Sequence, residues 1–482
     1  MTAMNVFVKL TMACCAVFGG VPLAAAQSME KPNIVIILAD DLGWGDVGYN
    51  GGDIKTPCID RLAKDGVVLN YFYTAPICSP TRAGLLTGRY PNRFGLRQTV
   101  IPPWSEFGVD TTEVFLSDML AEAGYVHRAA FGKWHLGHSK RAYLPLQRGF
   151  TRFYGHYNGA IDYFTHMREG ELDWHRNEET CYDEGYATDL ITKEAVESIR
   201  QYAKESSPFF IYVAYNAPHS PLQAKEDDLR LYGYENDKPL YGSGKQELAG
   251  RGNTKRQTYL AMVAAMDRGI GEILSALKEA GISEQTLVLF FSDNGAAPGY
   301  GGSSGELRGA KFTEWEGGVR APAIVKWPAG FAGGRISNQV TGYIDVVPTI
   351  RDVLGLSTDL IKPLDGISIW PVLSGSRATI PREFYLGYGT LITENRWKLV
   401  KAGSGNSRME IQEDMLFDIQ MDPYEKKDLK TQFPSVYRQM LRQVTQVYDA
   451  IPSQVSVPSY ETGRENFKAP KDWKVLDRKT IE

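Results

Sequence analysis

Three short apolar runs, far apart in the chain, each end abruptly in polar residues. NIVIILA (33–39) runs into Asp40-Asp41, PFFIYVAY (208–215) into Asn216 and then Ala-Pro-His219, and TLVLFFS (286–292) into Asp293-Asn294. None of them alternates apolar with polar, so each reads as a strand buried on both faces, the pattern of a parallel sheet. Between them, VFLSDMLAEAG (114–124), residues 187–205 and residues 257–280 carry apolar side chains at helical spacing, and the first and third run out at Gly124 and Gly281. The expectation is an α/β fold: a large, doubly wound, mixed but mostly parallel sheet with helices on both faces. Beyond about residue 370 the texture changes. YLGYGTLITENRWKLVKAG and MLFDIQMDPYEKKDL predict short antiparallel strands with a turn at Asp422-Pro423, followed by a helix over 434–450. Residues 27–374 are therefore expected to form the main domain. Residues 375–482 would form a small C-terminal α+β subdomain with an antiparallel sheet and a Pro- and charge-rich tail that wraps the surface.

The N-terminus points to export. Lys9 is the last charge before LTMACCAVFGGVPLAAA, a run of roughly 17 residues where a spanning helix needs about 20. It closes on Ala24-Ala25-Ala26 before Gln27, a small-x-small cleavage pattern, so residues 1–26 read as a signal peptide cut near Ala26. A retained membrane anchor is the alternative; a lipoprotein at Cys14 or Cys15 has too little apolar sequence ahead of it. The mature chain is expected in the periplasm or outside the cell, with no membrane segment. Of five cysteines, Cys58, Cys78 and Cys181 then remain, which excludes a disulfide-dense scaffold. An odd thiol in an exported chain points to a reactive or modified side chain, with pairing of Cys58 and Cys181 left open. A net charge of −4 over 482 residues, without a basic tail or helix, gives no support to a nucleic-acid or anionic-membrane partner. With 43% hydrophobic and 11% aromatic residues the chain can bury a large core.

In open parallel sheets, ligands bind beyond the carboxyl ends of the strands. Asp40-Asp41, His219 and Asp293-Asn294 all follow such ends, so three distant parts of the chain converge on one crevice. Three carboxylates and an amide form an all-oxygen set suited to one calcium ion, with magnesium less favoured. Taken singly, each pair also fits turn formation after a strand; together they favour a metal. GKWHLG (132–137) puts Lys133 and His135 two apart, on one side if the segment is extended. His219 stands between two prolines in NAPHSP, either a catalytic group or a hydrogen-bonded loop histidine. Lys311 lies among glycines in LRGAKFTEWEGGVRAP, where a backbone can approach a ligand closely or a lysine can simply face water. The 154–166 segment concentrates Tyr154, His156, Tyr157, Asn158, Asp162, Tyr163 and His166, which suits a sugar pocket or a packed loop.

CSPTRAGLLTGRY (78–90) is turn-rich and basic and opens on the odd thiol. The pattern Cys78-Ser79-Pro80-Thr81-Arg82 followed by AGLLTGRY resembles the signature of the type I, formylglycine-dependent sulfatases of the alkaline phosphatase-like superfamily. KPNIVIILADDLGWGDVG, GKWHLG, the APH stretch at His219, SDNG and RGAKFTEWEGGVR resemble the same family, over residues 31–430. LPLQRGFTRFYGHYNGAIDYF (144–164) is most similar to the arylsulfatase B, or N-acetylgalactosamine-4-sulfatase, branch. The resemblance implies that a maturation enzyme converts Cys78 to formylglycine, whose hydrate is the nucleophile. It also implies that Asp40, Asp41, Asp293, Asn294 and the side chain at 78 hold the metal. By the same resemblance Arg82 and Lys133 hold these groups, His135 is a base, and His219 and Lys311 face the ester oxygen. His156, Asn158 and Asp162 are added as sugar contacts. The implied activity is sulfate removal from a carbohydrate, a hexosamine or galactose sulfate. The rivals are a phosphonate monoester or phosphodiester hydrolase using the same aldehyde, and a catalytically decayed sulfated-glycan binder.

Overall fold

The computed structural model describes residues 31–97, 99–242, 249–357, 362–450 and 460–475; the expected signal peptide, residues 1–26, lies outside them. Ten strands form the main sheet: β1 (Asn33–Ala39), β2 (Val67–Leu69), β3 (His127–Lys133), β4 (Arg152–His156), β5 (His175–Arg176), β6 (Glu179–Thr180), β7 (Phe209–Ala214), β8 (Thr286–Ser292), β9 (Ala323–Lys326) and β10 (Arg335–Ser337). Their spatial order is β10-β2-β9-β8-β1-β7-β3-β4-β5-β6. The five central strands from β8 to β4 run parallel, and antiparallel pairings flank them on either side. The expected mixed, mostly parallel sheet is what the chain forms.

β1 explains why its sequence shows no alternation. Ile34, Ile36 and Leu38 enter the core on one face, while Val35, Ile37 and Ala39 enter a second core on the other. Each fully buried Ile or Leu contributes roughly 1.5–3 kcal/mol relative to exposure, so both faces favour apolar residues at every position. α1 (Cys78–Thr87) lies on the first face, and α2 (Ala187–Tyr202) and α3 (Lys255–Glu279) cover the second. The remaining expected helix is present as Leu116–Glu122.

The 78–90 segment corrects the sequence reading: it is not turn-rich but opens as a ten-residue helix with every residue buried. Pro80 misleads because it occupies the third helical position, where a missing N–H leaves no bond unmade. Gly84 permits close packing, since a Cβ there would stand 2.1 Å from the Tyr343 ring. Gly88 ends the helix in the left-handed conformation, at φ 68°.

The C-terminal strands β11 (Glu383–Tyr385), β12 (Thr390–Thr393), β13 (Trp397–Val400) and β14 (Met415–Asp418) form a separate antiparallel sheet in chain order. The turn at Asp422 is closed by the Glu425 N–H donating to the Asp422 carbonyl at 3.2 Å. Helix α4 (Pro434–Ala450) packs on this sheet through Met440 and Val444. Phe384, Leu391, Leu399 and Leu416 belong to the same core as Ile34 and Leu38, so this sheet is bonded to the main one by apolar packing. Cys58, Cys78 and Cys181 are all free thiols, which closes the question of a Cys58–Cys181 bridge. Among the described residues no helix is long and apolar enough to cross a membrane.

One buried ionic junction also ties the C-terminal sheet to the short helix Glu316–Val319. Lys398 on β13, with no solvent exposure, donates to Glu316 at 2.8 Å and lies 2.9 Å from Glu425; Glu316 also accepts from the Tyr73 hydroxyl at 2.9 Å. Burial pushes Glu425 up to about 7 despite the ammonium beside it. Removing the cation strands two carboxylates out of water. Lys398→Met is therefore expected to lower stability by about 3–5 kcal/mol in urea denaturation. Adding Glu316→Gln and Glu425→Gln to that variant should recover most of the loss.

Candidate active site

The carboxyl ends of four parallel strands supply the site. β1 delivers Asp40 and Asp41, β3 delivers Lys133 and then His135, the loop after β7 delivers His219, and β8 delivers Asp293 and Asn294. Backbone bonds lace these ends together: Asp40 N–H to the Ala217 carbonyl and Asp293 N–H to the Ala39 carbonyl, both at 3.0 Å. α1 presents Cys78 and Arg82 from its first two turns, and the loop around Lys311 closes over the top, with its N–H on the Ala296 carbonyl at 2.8 Å.

Arg82 is the centre of the charge arrangement. Its Nε and Nη2 donate to Asp293 Oδ2 at 3.0 and 2.8 Å, Nη1 donates to the Lys133 carbonyl at 3.1 Å, and Nη2 lies 3.6 Å from Asp40. Lys133 Nζ donates to Asp40 Oδ2 at 2.5 Å. Asp41 Oδ1 accepts from Lys311 Nζ at 2.6 Å and from Asn294 Nδ2 at 2.7 Å, and His219 Nε2 lies 3.7 Å from its other oxygen. His135 Nδ1 is 3.4 Å from Cys78 Sγ, and its Nε2 contacts the Ile101 carbonyl at 3.1 Å. A carbonyl only accepts, so Nε2 carries the proton and Nδ1 turns a lone pair toward position 78. By the same argument His219 Nδ1 donates to the Ser220 carbonyl at 2.6 Å, leaving Nε2 to face the site. The His219 side chain is 19% exposed whereas Arg82, Lys133 and Asp40 have no exposure, so the site opens on the His219 side.

The electrostatics follow from burial and neighbours. Burial, reinforced by Asp40, pushes Asp293 up to about 6 against the pull of Arg82 and Lys133. Burial would also raise Asp41, but Lys311, His219 and the Asn294 amide hold it well below the usual carboxylate range. Burial raises the Cys78 thiol even though Lys133 and Lys311 oppose it. His135 is held far below its ordinary value by burial and then by Lys133 and Arg82, and burial takes His219 down to about 3. Both imidazoles are neutral at pH 7. Lys311 is raised: its desolvation is outweighed chiefly by Asp41.

The donor set fits a hard divalent cation. Single ligand atoms of Asp40, Cys78 and Asp293 fall within 4.8 Å of one another, as do those of Asp40, Asp41 and His219. Asp40 Oδ1 and Asn294 Oδ1 are buried without any hydrogen-bond partner. Such oxygens are expensive to leave unsatisfied, and a cation between them removes the cost.

The structure thus brings Asp40, Asp41, Cys78, Arg82, Lys133, His135, His219, Asp293, Asn294 and Lys311 together. Lys133 and His135 do not share one extended face as expected: His135 takes a left-handed conformation, φ 59°, and this turn aims it at Cys78. The sugar contacts drawn from the 154–166 segment need correction. His156 and Asn158 have no exposure, and His156 Nδ1 bonds the Asn158 carbonyl at 2.9 Å. Asp162 accepts from the Phe164 and Thr165 N–H groups and from Gln223 Nε2, which makes it a loop brace. Asp173, absent from the sequence reading, holds this loop by accepting the Tyr157 and Asn158 N–H groups, both at 2.9 Å. The Trp134 and His135 amides in turn bond the His156 and Tyr157 carbonyls, both at 3.0 Å. A carboxylate between Leu172 and Trp174 in LDWH was the only trace of Asp173 in the sequence.

Comparisons with known proteins show the family of the chain. The Sulfatase family model matches residues 32–356. Arylsulfatase J of Mus musculus is 32% identical over 88% of this chain and 77% of its own length. N-acetylgalactosamine-6-sulfatase of Mus musculus is 35% identical over 77% of this chain and 72% of its own. Among solved structures, Ps i-CgsB in complex with k-i-k-neocarrahexaose superposes with a TM-score of 0.77 at 32% identity, covering 90% of this chain and 96% of that one. The phosphonate monoester hydrolase of Agrobacterium radiobacter, at 21% identity and a TM-score of 0.60, shares the fold alone. The chain belongs to the sulfatase family and is a sulfuric ester hydrolase.

Calcium added to chelator-treated protein is expected to stabilise it, by about 2.7 kcal/mol at a hundredfold excess over Kd. Asp40→Asn should remove most of that increment while leaving the metal-free protein folded, as read by thermal unfolding with and without calcium.

Proposed function

We propose that the protein removes sulfate from a sulfated carbohydrate of hexosamine or galactose units, with Cys78 converted to formylglycine by a maturation enzyme. One calcium ion would be held by Asp40, Asp41, Asp293, Asn294 and the side chain at 78. The observation that carries this reading is the pair of partnerless buried oxygens, on Asp40 and Asn294, beside a thiol faced by an imidazole lone pair. Relatives named for N-acetylgalactosamine-6-sulfate and a structural neighbour bound to a neocarrahexaose support the substrate class.

The cation would draw sulfate oxygens inward and acidify a hydroxyl beside it. Once converted and hydrated, the side chain at 78 would offer one hydroxyl as nucleophile toward sulfur and a second whose proton can be removed as sulfate departs. The chain's own groups manage the protons and the charge. Asp293, pushed up to about 6, takes the first hydroxyl's proton, with Arg82 fixing the carboxylate. Lys133 holds Asp40 in place. His135, neutral and with Nδ1 toward position 78, takes the second proton. Position 78 is the first residue of α1, so the free N–H groups and the positive end of the helix favour anionic charge there. Lys311 and His219 flank the ester oxygen. His219 is neutral in the free site, and an anionic ester between it and Lys311 provides the negative charge that favours the imidazolium, making it the acid for the departing alcohol.

A secreted or periplasmic location, with residues 1–26 removed, completes the proposal. Residues 27–374 are assigned to catalysis and 375–482 to the subdomain beside it.

Cys78→Ala is expected to abolish sulfate release, while mass spectrometry of active protein shows an aldehyde in the peptide bearing residue 78. Unconverted thiol in fully active protein would overturn the reading. His219→Asn should lower kcat/KM on a sugar sulfate by about 10²–10⁴-fold. It should lower it far less on nitrophenyl sulfate, whose phenolate leaves unaided; equal losses would remove His219 from the acid role.

A further inference from the structure

Asp41, His135 and Phe312 all hold left-handed backbones at the site, with φ of 68°, 59° and 76°. Such conformations are costly for non-glycine residues and persist only where their surroundings over-determine them. The first two residues have roles above, whereas Phe312, the bulkiest, has none. Its N–H donates to the Pro76 carbonyl at 2.8 Å, two residues before Cys78, and its carbonyl accepts from Asn406 Nδ2 at 2.9 Å. Position 312 is therefore pinned between the reacting centre and the C-terminal subdomain, yet the residue remains 36% exposed.

Arg408 comes from that subdomain. Its N–H donates to Asn406 Oδ1 at 3.2 Å, so the residue that grips Phe312 also sets the turn carrying Arg408. The guanidinium carbon stands 4.0 Å from the Phe312 ring centroid, and Lys311 Nζ is 5.5 Å from the same centroid. Arg408 is exposed and makes no ion pair among the described residues. A solvent-facing arginine normally samples many rotamers; this one is stacked on the ring of a residue with a left-handed backbone, beside the lysine of the site.

We propose that Arg408 and Phe312 form an anion-reading subsite next to the sulfate-removing centre. It would take a second anionic group, sulfate or carboxylate, on a sugar within two units of the one that is desulfated. The inference rests on the sulfated-carbohydrate reading above and deepens it: the preferred substrate is multiply charged. A guanidinium fork binds oxyanions bidentately. Stacking on Phe312 restricts the side chain beforehand and so reduces the entropy lost on binding.

The test uses Cys78→Ala protein, in which binding is read without turnover. It is titrated by calorimetry with three galactose-containing disaccharides, carrying one sulfate, two sulfates, or one sulfate and one carboxylate. At least one doubly charged sugar is expected to bind about tenfold tighter than the monosulfated one, and the tighter arm identifies the anion. Arg408→Ala should erase the difference, with Arg408→Lys and Phe312→Ala each retaining part of it. A ratio that Arg408→Ala leaves unchanged, equal loss on all three sugars, or no binding of any of them would overturn the proposal. In the active protein, Arg408→Ala should depress kcat/KM for the doubly charged sugar about tenfold more than for nitrophenyl sulfate. Failure of converted wild-type protein to release sulfate from any sugar would instead sink the functional reading, while the binding ratio is decided separately.

Discussion

The site depends on Arg82 being buried with full charge between two carboxylates. Asp40 and Asp293 come from neighbouring strand ends and would repel each other in a water-poor crevice; the guanidinium, 2.8 Å from one and 3.6 Å from the other, makes their proximity tolerable. Desolvating an arginine is costly, and the bonds from Nε, Nη1 and Nη2 recover that cost only because the fork matches Asp293 and the Lys133 carbonyl together. A lysine at 82 would keep the charge but lose the fork.

That arrangement leaves an excess of oxygen acceptors on one side. Arg82 and Lys133 both take Asp40 Oδ2, so Oδ1 is left bare; Asn294 spends its amide hydrogens on Asp41 and the Gly295 carbonyl, so its Oδ1 is bare as well. The cations of the site are held by Asp40 Oδ2, Asp293 and Asp41, while Asp40 Oδ1 and Asn294 Oδ1 stay unpaired. Polarity of this kind defines where a metal and an anionic group can meet, and α1 brings its N-terminus to that meeting place.

Much of this was legible in the sequence because the strands of a doubly covered sheet need apolar residues throughout and release polar ones only at their ends. β1, β7 and β8 were visible for that reason, and with them Asp40, Asp41, His219, Asp293 and Asn294. What was not legible has physical causes too. α1 looked turn-rich because Pro80, Gly84 and Gly88 break helices in general, yet the first occupies the opening turn, the second faces an aromatic ring and the third is the cap. His135 left the strand period because its backbone turns left-handed, which no local pattern announces. His156 and Asn158 have the chemistry of sugar ligands but are wholly enclosed in the protein, and only the fold around Asp173 reveals it.

The depth of residue 78 also dictates an order of events. With 2% of its surface exposed and its helix enclosed on all sides, the side chain is out of reach of any macromolecular catalyst once the sheet and α1 have docked. If the thiol is converted as proposed, that conversion would precede compaction, on a segment still free to enter another protein's cleft. On that proposal a chain that folds first would keep its sulfhydryl form, and the race between folding and conversion would decide which molecules become competent.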